Sequence, residues 1–258
     1  MPTPSCRMAE MTWPEYAERL RANPVVFLPT GMVEQHGPHL PLGVDFQLPL
    51  AIATLVAEEA DGLVAPAVNY GYKSMPRTGG GPHFPGSIGL DGATLSAVLR
   101  DIIRELVRHG VQRICVLDGH VENRWFLTEG IDLAVRETGT ESLRVVCMQH
   151  WDFLDDATLA EVFPAGYAGI DMEHAAILET SLMLHFHPGL VHTDRVADNA
   201  PMDAPDYDTW PARPEWIPQT GSLVSAAPAS HAKGALVAEC YRRNISAAVR
   251  REFGLGTD

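Results

Sequence analysis

Four short apolar runs separated by helical or glycine-rich stretches constrain the fold of this chain more than any other feature. Val25 to Leu28, Leu63 to Val68, Arg113 to Leu117 and Leu143 to Met148 have the length and β-branched content of buried strands. Helical periodicity occupies the intervals Phe46 to Ala60, Asp91 to Val107 and Glu122 to Glu137, with Gly62 and Gly110 closing the first two. Alternation of this kind from Val25 to Gln149 predicts an α/β fold: a mainly parallel sheet with helices on both faces.

The flanking regions are read in the same way. Thr12-Trp13-Pro14-Glu15 is a helix start, with Thr as cap and Pro in the first turn, and that helix runs to about Ala22. Ala175 to Phe186 is a further helix, and Ser230 caps a last one ending near Phe253. Tyr70 to Gly89 is a long Gly- and Pro-rich loop, of a length that is usually either functional or disordered. Trp151 to Asp171 is irregular and aromatic. Ala197 to Pro228 is proline-rich with little periodicity, a surface excursion or an oligomer contact. No repeat or clear linker divides the chain, so residues 1–258 are expected to form one domain.

Two strand ends concentrate chemistry. Glu34 and His36 follow the first strand two residues apart, Asp45 stands before the next helix, and His120 and Glu122 follow the Arg113 to Leu117 strand, again two apart. In extended backbone, positions i and i+2 face the same side. Ligand sites of open α/β sheets gather outside the carboxyl ends of strands. Each residue alone has an ordinary reading: an Asp before a helix caps it, and a His after a strand is a hydrogen-bonded surface residue. Three carboxylates and two imidazoles together suit two divalent cations such as Zn or Mn. Two adjacent cations generate hydroxide at neutral pH and polarise a carbonyl, which points to hydrolysis of a carbonyl compound.

Composition narrows the partners. With 33 acidic against 19 basic residues the net charge is -14, which argues against nucleic acid and anionic membrane surfaces. No apolar stretch approaches the roughly 20 residues of a membrane span. No secretory signal is visible at Met1 to Arg7, and the cytoplasm is the expected compartment. Cys6, Cys115, Cys147 and Cys240 form no disulfide framework or metal motif, and Cys115 and Cys147 read as buried thiols in strands.

The runs LPTGMVEQHGPHLPLGVD (Leu28 to Asp45), YGYKS (Tyr70 to Ser74), GGGPHFPGS (Gly79 to Ser87) and LDGATL (Leu90 to Leu95) resemble the creatininase family. So do DGHVENRWFLTEGIDLA (Asp118 to Ala134) and MEHAAILETSLML (Met172 to Leu184). The resemblance covers roughly Trp13 to Phe253 and implies a three-layer α/β/α fold, a homohexamer and two metals, commonly Zn and Mn. It implies Glu34, Asp45 and His120 as ligands of one metal, and His36, Asp45 and Glu122 as ligands of the other, with Asp45 bridging. His174 matches a proton-transfer histidine and Asp171 a substrate-contacting carboxylate. The implied activity is opening of a small cyclic amide, creatinine and water to creatine, with Glu122 and His174 in catalysis.

The substrate shell departs from the family pattern. Ile170 stands where creatininase proper has Trp, Val121 where it has Tyr, and Thr78 where it has Ser, whereas Trp151 matches a family Trp. These positions, with Asp171, are the expected substrate contacts. The departures leave room for another small amide, a formamide or hydantoin-like ring, and an inactive metal-binding scaffold is the third alternative. Asp118, where Asn is common, either orients a ligand His or makes a local turn. His39 reads as a supporting residue, and His83 as a possible pocket residue on the Gly-rich loop.

Overall fold

The computed structural model describes residues 5–80, 83–200, 207–211 and 213–256. Among these, β1 (Val26–Thr30), β2 (Leu63–Val64), β3 (Arg113–Asp118) and β4 (Arg144–Gln149) form one sheet in the order β2-β1-β3-β4, with every pairing parallel. The helices are α1 (Trp13–Leu20), α2 (Val44–Glu59), α3 (Gly92–Arg108), α4 (Arg124–Thr138), α5 (Asp156–Val162), α6 (Ile177–Phe186) and α7 (His231–Phe253).

Strand alternation divides the core into two faces. Val26, Leu28, Ile114 and Val116 pack with Leu95, Leu99 and Ile103 of α3 and with Leu127 and Ala134 of α4. Phe27, Cys115, Leu117 and Met148 pack on the opposite face with Leu48, Ile52 and Val56 of α2, Leu178 and Leu182 of α6, and Val237, Tyr241 and Val249 of α7. Each large apolar side chain buried in this way contributes about 1.5–3 kcal/mol. The three-layer α/β/α expectation holds.

Several local expectations need correction. The second strand stops at Val64, because Pro66 has no N–H to continue the ladder; only an isolated bridge from Thr30 to Val68 extends the pairing. The segment after Trp151 contains α5, whose seven residues are too few for a clear period. Its cap is Asp155, which accepts from Thr158 N at 2.8 Å. Cys147 is exposed rather than buried, because β4 is an edge strand. Ser230 caps α7 as expected, accepting from Lys233 N at 3.2 Å.

The order β2-β1-β3-β4 sends the chain from β1 to one side and then across to the other. The carboxyl ends of β1 and β3 therefore flank a crevice at the reversal point. The first turn of α2 enters that crevice. A Cβ on Gly31 or on Gly119 would lie 2.2 Å from the Asp45 carbonyl oxygen, so only glycine on both flanking strands admits it.

Candidate metal centre

A buried polar knot fixes the strand ends beneath the crevice. Asp118 Oδ1 accepts from Thr30 Oγ1 at 2.8 Å and from Asn123 Nδ2 at 2.9 Å. Asn123 Nδ2 also donates to Gly31 O at 3.3 Å, and Asn123 Oδ1 accepts from Tyr72 N at 2.8 Å. Burial pushes the Asp118 carboxyl up to about 6, against the pull of these donors. Of its two open readings, Asp118 takes the structural one: it ties β1, β3 and the turn after β3 together.

Above the knot, Glu34, Asp45 and His120 converge, all buried. His120 Nδ1 lies 3.3 Å from Glu34 Oε2 and 3.1 Å from Asp45 Oδ2. A second cluster joins His36, Asp45 and Glu179. His36 Nε2 lies 2.9 Å from Asp45 Oδ1 and 3.6 Å from Glu179 Oε2. Asp45 thus turns one carboxylate oxygen to each cluster. Glu34, His36 and His174 also lie within ligating reach of one another.

The imidazoles are oriented as metal ligands are. His120 Nε2 donates to Tyr72 O at 2.9 Å, and His36 Nδ1 donates to Glu34 O at 3.2 Å. Each main-chain carbonyl fixes a tautomer whose lone pair points at carboxylate oxygens. A lone pair facing a carboxylate is repulsive unless a proton or a metal cation lies between them. Glu34 Oε1, His36 Nε2 and Asp45 Oδ2 are buried without a hydrogen-bond partner, so the donor set and its orphaned atoms fit two divalent cations. The same field shows in the ionisation. Burial opposes charge on His36 and His120, but the surrounding carboxylates outweigh it and raise both well above the usual histidine range. Each imidazole thus takes up a proton where a cation would otherwise sit. Those charges overcome burial and hold Asp45 well below its usual range, whereas burial lifts Glu34 to about 7.

Glu122 does not join either cluster. The backbone leaves the extended form after His120 and forms a 3-10 turn over Val121–Asn123. The i, i+2 geometry is lost there, and Glu122 Oε2 lies 3.3 Å from His120 Nε2, the ring nitrogen turned away from Asp45. Glu122 Oε1 accepts from Met75 N at 2.7 Å and from the Thr78 hydroxyl. Glu179 stands in the second cluster instead. It lies in the first turn of α6 and accepts from Ala175 N at 2.6 Å. Ala175 adopts a φ of 53°, a left-handed conformation, at the turn that brings its N–H to this carboxylate. An acid in a first helical turn reads as a favourable dipole partner, so little in the sequence marks it as a ligand.

His174 is buried beside the clusters, its ring 4.3 Å from that of His36. Burial first, and then His36, hold it well below the usual histidine range. Gln35 Nε2 lies 2.9 Å from His174 Nε2, 2.7 Å from Gly79 O and 2.9 Å from Gly221 O. Gln35 sits between the two expected ligands in sequence and is a supporting residue that the pattern did not reveal. His39 is buried and pairs through Nε2 with Thr180 Oγ1 at 2.9 Å, tying the loop after β1 to α6.

Thr78, Val121, Trp151 and Ile170 line the pocket with Glu34, Asp45, His120, Glu122, His174 and Glu179. Asp171 is exposed and is not among its lining residues, and His83 is likewise exposed outside it. The pocket has about 30 Å³ of enclosed free space, room for a water or two. A larger cavity of about 900 Å³ lies beside the start of β2, lined by Arg7, Glu10, Arg19, Glu58 and Asp61. It is remote from the carboxyl ends of the strands and shares no residue with the clusters.

An α/β sheet carrying paired carboxylate–imidazole clusters at its carboxyl edge defines a metal-dependent hydrolase. The chain belongs to the creatininase family: the model of creatinine amidohydrolase matches residues 9–249. It is 47% identical to the creatinine amidohydrolase of Pseudomonas putida over 251 residues, covering 95% of this chain and 96% of the relative. A manganese creatininase superposes with a TM-score of 0.94 at 46% identity, covering 97% of this chain and 99% of the other. A mutant creatininase complexed with creatine gives the same values.

Proposed function

We propose that this chain is a dinuclear metal-dependent amidohydrolase that opens creatinine to creatine, residues 1–258 acting as one domain. The observation that carries the reading is Asp45, whose two oxygens face separate clusters at 2.9 Å from His36 and 3.1 Å from His120. Glu34, Asp45 and His120 would hold one divalent cation, and His36, Asp45 and Glu179 the other, with Mn and Zn as the candidates the donor set suits. Bound there, the pair would supply Lewis acidity and a water made nucleophilic at neutral pH.

The chain's own residues do the rest. His174, kept neutral by burial, accepts a proton and returns it to the leaving ring nitrogen. Gln35 fixes the plane of that imidazole and must release Nε2 when His174 takes up the proton. Glu122, held by Met75 N and Thr78, braces the outer nitrogen of His120. Trp151, Ile170 and Val121 shield the reacting atoms from bulk water.

A second reading, another small amide such as a formamide or hydantoin-like ring, is favoured by Ile170 and Val121, which replace expected aromatic surface with aliphatic walls. Assay of the metal-loaded protein on creatinine and a panel of such amides separates the two. Asp45→Asn should abolish turnover of whichever substrate is accepted and release at least one cation. Full metal content at normal rate in that variant would sink the bridging role. Homohexameric assembly and a cytoplasmic location belong to the same proposal. The exposed Trp13, Trp125 and Trp210 offer apolar surface for subunit contacts, and sedimentation velocity tests the assembly. Among the described residues, no helix is long and apolar enough to cross a membrane.

A further inference from the structure

One buried group in the pocket has no assigned work. His150 follows β4 at the carboxyl edge of the sheet, is 4% exposed and lines the pocket with the metal clusters. Its Nδ1 is buried without a hydrogen-bond partner. Other polar groups of the pocket are engaged: Glu122 with Met75 N, Glu173 with Leu178 N, Glu179 with Ala175 N, His120 with Tyr72 O and His174 with Gln35. The remaining unpartnered atoms in this wall, Glu34 Oε1 and Asp45 Oδ2, belong to residues of the clusters. His150 belongs to neither cluster.

A polar nitrogen buried without a partner is costly and is tolerated where a ligand completes it. The ring is also held in place. Trp151 packs edge-on at 4.9 Å and Tyr241 at 5.3 Å between centroids, so the imidazole cannot turn away without disturbing both. Burial keeps it neutral, pushing its titration down to about 4 against the pull of Asp45. A neutral imidazole with its proton on Nε2 presents Nδ1 as an acceptor.

We propose that His150 is a substrate-binding residue whose Nδ1 accepts a hydrogen bond from an N–H group of a small cyclic amide while the carbonyl faces the metal clusters. This rests on the amidohydrolase reading above. A cyclic amide carrying an amino or imino nitrogen is thereby preferred over one whose matching atom is only an acceptor, because two acceptors would then face each other in the buried pocket.

The test uses metal-loaded wild type, His150→Leu and His150→Asn, with metal content and melting temperature measured alongside kinetics. His150→Leu is expected to raise KM for creatinine roughly ten-fold, with kcat changed much less and both metals retained. His150→Asn, whose carboxamide oxygen can occupy the Nδ1 position, is expected to recover most of the loss. Unchanged KM in His150→Leu overturns the assignment, as does an equal deficit in His150→Asn with full metal and normal melting. A wild type inert to creatinine counts against that substrate alone. The variants are then compared on whichever amide of a hydantoin, dihydrouracil and succinimide panel is hydrolysed. No turnover across the panel overturns both readings.

Discussion

Glu179 Oε2 lies 3.6 Å from His36 Nε2, joining the first turn of α6 to the loop after β1 within the second cluster, where we propose a cation binds. Glu179→Ala should therefore release one of two cations and cut turnover severely. Glu122→Ala should keep both cations, because Glu122 faces the outer nitrogen of His120 and not the clusters. Elemental analysis after dialysis reads the difference. Loss of a cation from the Glu122 variant with full occupancy in the Glu179 variant would reverse the assignment.

His174→Ala should leave metal content intact and slow turnover by about 10² to 10⁴, the scale of general acid–base catalysis. Single-turnover kinetics on the loaded variant provides the measurement. A near-normal rate would mean that the proton comes from another group.

Ile170→Trp restores an aromatic wall beside Trp151 in the pocket lining. If creatinine is the substrate, its KM should fall by about two- to ten-fold, as expected for an added ring contact. A rise in KM for creatinine together with loss of another amidase activity would favour the second reading.

Asn123→Ala should cost about 2–4 kcal/mol of stability, because the buried Gly31 O and Asp118 Oδ1 and the part-buried Tyr72 N each lose a partner. Urea unfolding at neutral pH measures this. A cost below about 1 kcal/mol would show that the knot beneath the site is dispensable.

Much of this architecture was legible because short continuous apolar runs alternate with longer segments of helical period. Val26 and Leu28 face one core and Phe27 the other, and Ile114 to Leu117 repeat the pattern, so sheet and layers followed from alternation. Glu34, His36 and His120 were legible because they follow strands and Asp45 because it opens the next helix, and the structure brings these four side chains into adjoining clusters. Glu122 was assigned by its i, i+2 spacing from His120, but a 3-10 turn beginning at Val121 swings it aside. Glu179 and Gln35 were opaque for a different reason. Their roles arise from long-range packing of α6 and the Gly79 and Gly221 segments against the loop after β1, which no local pattern encodes. Asp171 matched a motif, but it is exposed and outside the pocket lining.

The most direct test of the account is a metal titration of chelator-stripped protein, followed by creatinine hydrolysis. Activity should be absent in the stripped chain, rise with added Mn or Zn and level off at two equivalents per chain, one for each cluster that shares Asp45. Undiminished hydrolysis by the stripped protein, or saturation at a single equivalent, would contradict it.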